Sequence, residues 1–519
     1  MRPHTRRLLH DSLLASAADR ADHVAVITEA ERVTYAQLHE RAARFARALQ
    51  DRGLRRGERV AIYLENGVPT VVAIYGALLA GGAFVVMNPQ TKADKLAYML
   101  RDCEASVVVT DPRLAQVVAS VAPQTPSLRT LVQVGGEPVD LAGAVAYDEL
   151  LAAAEPAPRP AGVIPNDLAA LVYTSGSTGH PKGVMLSHAN MTFAQGSLVE
   201  YLRLGPDDRI LDVLPLAFDY GLYQALMAVH LGATLVLETS FAFPARVIQR
   251  VQEEGVTVFP GVPTVFATLL SLHRQRPVAM PTVRRLTNTA AHLPDEYVPG
   301  LLEMCPDALV FKMYGLTECK RVCYLEPELV RAKPSSVGRA IPGTEVMVLD
   351  DAGAPVPPGV TGTLYVRGPH VMMGYWNLPD ETAHMLKPGP WPGERMLCTH
   401  DLFKTDADGF LYFVGRSDDI IKSRGEKVSP VEVENALSTI DGVKEVCVVG
   451  VPDDLLGQAV RAFVVLDPGA QLDERSFKRA AMALLENFMV PRDVVFLDEL
   501  PKTGSGKVRR KSLIEGASA

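Results

Sequence analysis

Short apolar runs rich in β-branched and aromatic residues recur along this chain, VAIYL, SVVVT, TLVLE, TVFPGV and ALVFKMYG among them. They are separated by stretches with helical spacing, such as YAQLHERAARFARALQDRG. Runs of this length suit strands covered on both faces, and strands that alternate with helices are joined by crossovers, so the pattern predicts parallel α/β architecture. A length of 519 residues predicts three or four structural units, at roughly 150 residues each. After Gly338 the texture changes to Gly/Pro turns between short strands, EVMVLDDAGAPVPPGVTGTLYVRG and then DGFLYFVG, which predicts a β-rich subdomain. Towards the C-terminus, EVCVVGVPD, RAFVVLD and DVVFLDEL lie between helical patterns, as in a small separate α/β unit. The Pro/Ala stretch AAAEPAPRPAGVI at 152–164 reads as a surface connector.

Composition narrows the function classes. Hydrophobic content of 48% and charged content of 22% are those of a globular chain. A net charge of -8 with a pI near 5.9 offers no basic footprint for nucleic acid or an anionic membrane, so a small-molecule substrate is expected. Six cysteines without CxxC or zinc spacing are expected to be reduced thiols. No stretch reaches the length of a membrane span, and the nearest candidate, Val71 to Met87, reads as a buried helix running into a strand. No secretory leader is apparent, and a cytoplasmic location is expected.

The segment TSGSTGHPKG, Thr174 to Gly183, places three glycines, four hydroxyls and a lysine directly after the apolar run LAALVY. Glycines Gly176 and Gly179 let the backbone approach a polyphosphate; Thr174, Ser175, Ser177 and Thr178 can donate to its oxygens; Lys182 can balance its charge. ATP is the expected ligand. The spacing is not that of a Walker A loop, because His180 and Pro181 follow Gly179, so another phosphate-binding design is implied. Further along, MYGLTE (Met313 to Glu318) ends an apolar strand with an aromatic, a glycine, a hydroxyl and a carboxylate. Such a set can stack a base, contact a phosphate and hold magnesium. THDLFKTDADGFLYFVGRSDD offers Asp401 and Arg416 as ribose partners, and PKTGSGKVRRK places Lys507 in a glycine loop. Taken singly, the last two read equally as a solvated hairpin and a basic tail.

Together and in this order, these segments resemble the AMP-forming adenylating superfamily of acyl-CoA synthetases, adenylation domains and luciferases, over nearly the whole chain. The resemblance implies a large N-terminal domain of parallel α/β subdomains plus a β-rich subdomain (1–415), a hinge at 416–418, and a small mobile α+β C-terminal domain (419–519). It implies ATP and Mg2+ as cofactors and an acyl-adenylate as intermediate. Lys507 would bridge the carboxylate and the α-phosphate, Thr317 contact that phosphate, and Glu318 take the metal. Tyr314 would stack beside adenine, next to Gly315 and the NTAAHL wall with Ala290 and Ala291; Asp401 and Arg416 would fix the ribose. The small domain would swing about Asp418, withdrawing Lys507 and bringing Gly425 to line a channel for a phosphopantetheine thiol. The chain departs from the usual pattern at His400, where Gly is common, and at Lys427, where Arg is frequent. His tolerates left-handed backbone better than most residues, so the ribose turn is expected to survive.

The acid is constrained by LPLAFDYGLYQAL, in which Phe218, Asp219 and Tyr220, with Thr289, Leu316, Lys320 and Arg321, are the expected pocket residues. An unpaired carboxylate beside a carboxylate substrate would repel it unless a cation answers. An ammonium on the substrate would do so, and stand-alone enzymes that load β-amino acids for macrolactam natural products resemble this chain in that aspartate. The expected function is therefore activation of an amino acid, preferably a β-amino acid, and transfer to a discrete acyl carrier protein. The alternative is that Asp219 pairs with Lys320 or Arg321, leaving a pocket for the ordinary fatty or aryl acid of an AMP-forming acyl-CoA ligase. A degenerate nucleotide-binding scaffold is a remoter alternative.

Overall fold

The computed structural model describes residues 6–174, 180–416, 419–423, 426–453, 457–502 and 508–516. The chain divides into two compact units: residues 1–334, 340–345 and 367–397 form one, and 335–339, 346–366 and 398–519 the other.

The first unit carries two sheets. In one, the described strands run in the order Gly374–Tyr375, Lys182–Ser187, Leu168–Thr174, Ala83–Val86, Arg59–Tyr63, Ala105–Thr110, Thr130–Gln133, Ala144–Ala146. From Leu168–Thr174 onward neighbours are parallel, and the two strands before it are antiparallel. In the other, Leu309–Tyr314, Arg285–Asn288, Val258–Gly261, Arg209–Asp212, Thr234–Leu237 and Val24–Ile27 are parallel, as the alternating pattern predicts. Cys323–Leu325 adds antiparallel beside Leu309–Tyr314. Arg59–Tyr63 and Ala105–Thr110 are buried along their whole length, which is why their sequences are continuous apolar runs rather than alternating ones.

The helices form where local chemistry allows. Tyr35–Asp51 starts on a capping box: the Thr34 hydroxyl accepts from the Gln37 N–H, and the Gln37 amide oxygen accepts from Thr34 N–H at 3.0 Å. Its Leu38, Ala42, Phe45, Ala46 and Leu49 are buried at helical spacing. The helix Val68–Leu79 packs so closely on it that a Cβ at Gly76 would stand 2.5 Å from the Phe45 ring, so only glycine fits there. That helix and the strand Ala83–Val86 are the buried helix-into-strand expected for 71–87. No described helix is long and apolar enough to cross a membrane. Between Ala153 and Leu168 the chain has no helix or strand and is largely exposed, as a connector should be.

The second unit holds the β-rich segment, in the strand order Glu345–Leu349, Gly362–Arg367, Arg395–Thr405, Leu411–Arg416, Ser336–Ala340. It also holds a sheet in the order Glu426–Val428, Ile421–Ser423, Gly457–Leu466, Val443–Asp453, with Asp493–Phe496 parallel to Gly457–Leu466. Helices Pro430–Leu437 and Glu474–Leu484 cover this sheet through a core of Ile421, Val428, Val433, Leu437, Val448, Val460, Val464 and Phe477. The small C-terminal domain read from the sequence thus has a core of its own, and the N-terminal part is large and mixed α/β.

Candidate active site

Strand pairing sets the first group of functional side chains. Thr174 ends Leu168–Thr174 opposite Lys182, which begins Lys182–Ser187, so the two ends of the glycine-rich segment are held in register. His180 stacks on Tyr98 with ring centroids 4.7 Å apart. Ser175, Gly176, Ser177, Thr178 and Gly179 lie outside the described residues. The short strand Gly374–Tyr375 pairs with Lys182–Ser187 and brings up residues to which the sequence does not point. Lys182 Nζ donates to Glu381 Oε2 at 2.6 Å and sits 5.5 Å from the centre of the Tyr375 ring. The ammonium holds the Glu381 carboxyl below the usual range. Tyr375 Oη donates to Glu318 Oε1 at 2.6 Å, and its N–H is taken by Thr382 Oγ1 at 2.8 Å. A chain of contacts, Glu381, Lys182, Tyr375, Glu318, therefore ties the end of the glycine-rich segment to YGLTE. The only hint of it in the sequence is an aromatic pair, Tyr375–Trp376, followed within a helical turn or two by the acids Asp380 and Glu381.

Tyr314 ends Leu309–Tyr314 opposite Cys323, and the intervening residues fold back tightly. A Cβ on Gly315 would collide with the Lys320 carbonyl oxygen, so the turn that presents Leu316, Thr317 and Glu318 requires glycine. Glu318 is buried, and its carbonyl accepts from Met372 N–H at 2.8 Å. Among the described residues no group of three or more His, Cys, Asp or Glu forms a metal cage. A lone fixed carboxylate nonetheless fits Mg2+, which is held by one or two carboxylates together with nucleotide phosphates and keeps several waters.

The acid-pocket candidates also converge. Asp219 is the first residue of the helix Asp219–Leu231, where a carboxylate faces the positive end of the helix dipole, and Phe218 precedes it as N-cap. Lys320, buried and at φ 63°, donates from Nζ to the Asp219 carbonyl at 2.7 Å and to Asp219 Oδ2 at 3.4 Å. Its ammonium stands 4.3 Å from the centre of the Tyr223 ring. Burial pushes the Lys320 ammonium down to about 7 against the opposing pull of Asp219. The carboxylate on which an ammonium substrate would rest is thus already answered from within the protein. Arg321 is directed to the Thr289 hydroxyl and lies 5.5 Å from the centre of the Tyr220 ring, while Tyr220 Oη donates to the Thr287 carbonyl at 2.7 Å. Ala290 follows with φ 76°, a conformation strained for any residue with a Cβ; Ala291 is exposed. Buried Asp212, to which the sequence does not point, has its carboxyl raised well above the usual range by burial.

In the second unit, Asp401 and Arg416 face each other across antiparallel strands, with Arg416 Nε 3.7 Å from Asp401 Oδ1. Asp401 is nearly buried, and its N–H donates to Thr399 Oγ1 at 3.1 Å; Thr399 in turn donates to the Leu364 carbonyl. His400 between them adopts φ 56°, the left-handed geometry anticipated where glycine is common. Asp418, Gly425 and Lys507 lie outside the described residues. The flanks of the Lys507 segment pair with one another, Lys502 opposite Val508, and Lys502 Nζ reaches Glu445 at 2.7 Å. All six cysteines are free and buried.

Residues 13–376 match the profile of the AMP-binding enzyme family, and residues 432–507 that of the AMP-binding enzyme C-terminal domain. The chain is 32% identical to a long-chain-fatty-acid–CoA ligase of Bacillus subtilis, over 99% of its own length and 95% of the relative's. It is 34% identical to a feruloyl-CoA synthase of Amycolatopsis over 92% of each. It is also 32% identical to a linear gramicidin synthase of Brevibacillus parabrevis, over 97% of this chain and 10% of that protein. Among solved structures, ATP-bound MatB from Rhodopseudomonas palustris superposes with a TM-score of 0.89 at 30% identity, covering 99% of each chain. The anthranilate CoA ligase AuaEII in complex with anthranoyl-AMP gives 0.90 at 26% identity, covering 98% and 97%.

Proposed function

The chain belongs to the AMP-binding enzyme family, as an ATP- and Mg2+-dependent ligase that adenylates a carboxylic acid and forms a thioester, and from that premise we propose that it is an acyl-CoA ligase for a fatty, aryl or other non-amino acid. The observation that carries this reading is the Lys320–Asp219 pair: it removes the unanswered carboxylate that would have called for an ammonium on the substrate. CoA as the thiol is supported by the full-length relatives, several of which are CoA ligases of aryl or other carboxylic acids.

In the first step the acid's carboxylate oxygen attacks the α-phosphorus, and the bond to pyrophosphate breaks. In the second the thiol sulfur attacks the acyl carbon, AMP leaves, and the thiol proton passes to solvent. Little covalent work falls to the protein, so its residues position reactants and neutralise charge. Thr174, Ser175, Thr178 and Lys182 hold the β and γ phosphates, Thr317 touches the α-phosphate, and Tyr314 stacks beside adenine. Asp401 and Arg416 hold the ribose, and Lys507 bridges the reacting oxygens. Glu318 would hold Mg2+, which when bound neutralises charge on the phosphate oxygens. Rotation of residues 419–519 about Asp418 then exchanges Lys507 for the Gly425 segment at the thiol's entrance. Six reduced thiols suit a cytoplasmic site of action.

One observation favours a second reading. Asp219 follows Phe218 at the start of the pocket helix, and the similarity to a gramicidin synthase extends over nearly this whole chain. In that reading the acid is an amino acid, the Asp219 carboxylate is shared between Lys320 and its ammonium, and the acceptor is a discrete carrier protein. ATP–pyrophosphate exchange across fatty, aryl, short acyl, α-amino and β-amino acids, followed by thioester assays with CoA and with a phosphopantetheinylated carrier protein, separates the two. Exchange with non-amino acids and transfer to CoA are expected; exchange confined to amino acids with transfer only to the carrier would overturn the first reading.

A further inference from the structure

Arg321 is the largest fully buried side chain of the described residues, and its charge is unbalanced. It is 2% exposed, its partners are the Thr289 and Tyr201 hydroxyls and the face of the Tyr220 ring, and its Nε has no hydrogen-bond partner. Among the described residues no carboxylate forms an ion pair with it. The nearby acid Asp219 is engaged by Lys320. A guanidinium carries five donors and stays charged, and burying one without an anion is strongly unfavourable. Its neighbours belong to the candidate site: Lys320 directly precedes it, and its partner Thr289 is a pocket candidate that precedes the strained Ala290.

We propose that Arg321 receives a second carboxylate on the substrate, so that the acid activated here is a dicarboxylic acid whose far carboxylate enters beside Thr289 and Tyr220. The near carboxylate remains the one adenylated. This rests on the ligase reading above and is indifferent to whether CoA or a carrier protein takes the acyl group. Lys320 contributes by holding Asp219 away from the incoming anion, and the bidentate fork of Arg321 matches a carboxylate better than a lysine would. The Thr289 hydroxyl can donate to the same group.

The test compares diacids with their half-amides in ATP–pyrophosphate exchange: glutarate with glutaramate, isophthalate with its monoamide, aspartate with asparagine. The full-length wild-type protein should favour at least one diacid over its half-amide by about 100-fold or more in kcat/KM, the discrimination of a site whose buried polar group is left unpaired by the wrong substrate. Arg321→Met should shrink that ratio to within about tenfold, chiefly by raising KM for the diacid, with Arg321→Lys between the two. Wild-type exchange with half-amides and simple acids as good as with diacids would refute the inference and leave the ligase reading standing. Silence with every acid would instead count against the ligase reading. In that event thermal-shift titration of the wild type with the same diacids decides the matter: a shift lost in Arg321→Met upholds the subsite, and no shift with any diacid overturns it.

Discussion

A histidine at φ 56° shows how one residue can replace another without disturbing a site. His400 keeps the turn that delivers Asp401 to Arg416, because the left-handed region is open to polar side chains at modest cost. Tyr375 makes the opposite point, since its hydroxyl is committed to one partner: it donates to Glu318 at 2.6 Å in a buried setting. Hydrogen bonds to charged groups contribute about 1.5–3 kcal/mol. Tyr375→Phe is therefore expected to lower the rate of adenylation by roughly 10- to 100-fold and to raise the Mg2+ concentration needed for half-maximal exchange. An unchanged Mg2+ dependence would show that the hydroxyl does not position Glu318 for the metal.

At the scale of elements, the pairing of Gly374–Tyr375 with Lys182–Ser187 converts a sequence separation of nearly 200 residues into the Lys182–Glu381 contact. If Lys182 receives a triphosphate as proposed, the nucleotide must displace Glu381 and endure its charge. The pair is partly exposed, at 13% and 35%, which limits the ion pair's own contribution to about 1 kcal/mol or less. Glu381→Gln should accordingly lower KM for ATP by about two- to fivefold with little change in kcat, as read from exchange rates at varied ATP. A KM that stays or rises would mean that Glu381 orients Lys182 rather than competing with the nucleotide.

For the whole molecule, buried histidines set the response to acid. His188, His230, His292 and His370 are each pushed by burial down to about 4. His188 Nδ1 accepts the Leu9 N–H at 3.1 Å, which only the neutral ring can do. Above the ordinary value near 6.5 these rings are neutral folded or unfolded and do not affect stability. As pH falls from there towards 4, the unfolded chain takes up protons that the folded one refuses, and stability is lost. Each ring should cost about 2 kcal/mol between pH 7 and 5. The melting temperature should fall steadily over that range, and His188→Asn should flatten the slope; a parallel slope in the variant would remove His188 from the account.

Much of this was legible in the sequence because it depends on local periodicity and turn chemistry. Continuous apolar runs announced the parallel strands, the alternation with helical spacing announced the crossovers, and clusters of Gly, Thr, Lys and Glu at strand ends marked the nucleotide site proposed here. What remained hidden depends on through-space charge balance. Asp219 reads in the sequence either as a lone carboxylate awaiting a substrate's ammonium or as the partner of Lys320 or Arg321, and only the fold decides for Lys320, across a separation of 101 residues. Tyr375 and Glu381 carry no motif at all, and enter the site only because a two-residue strand adds to a sheet edge. Strand and helix formation is decided by neighbours along the chain, whereas the partner of a buried charge is decided by whichever side chain tertiary packing brings within a few ångströms.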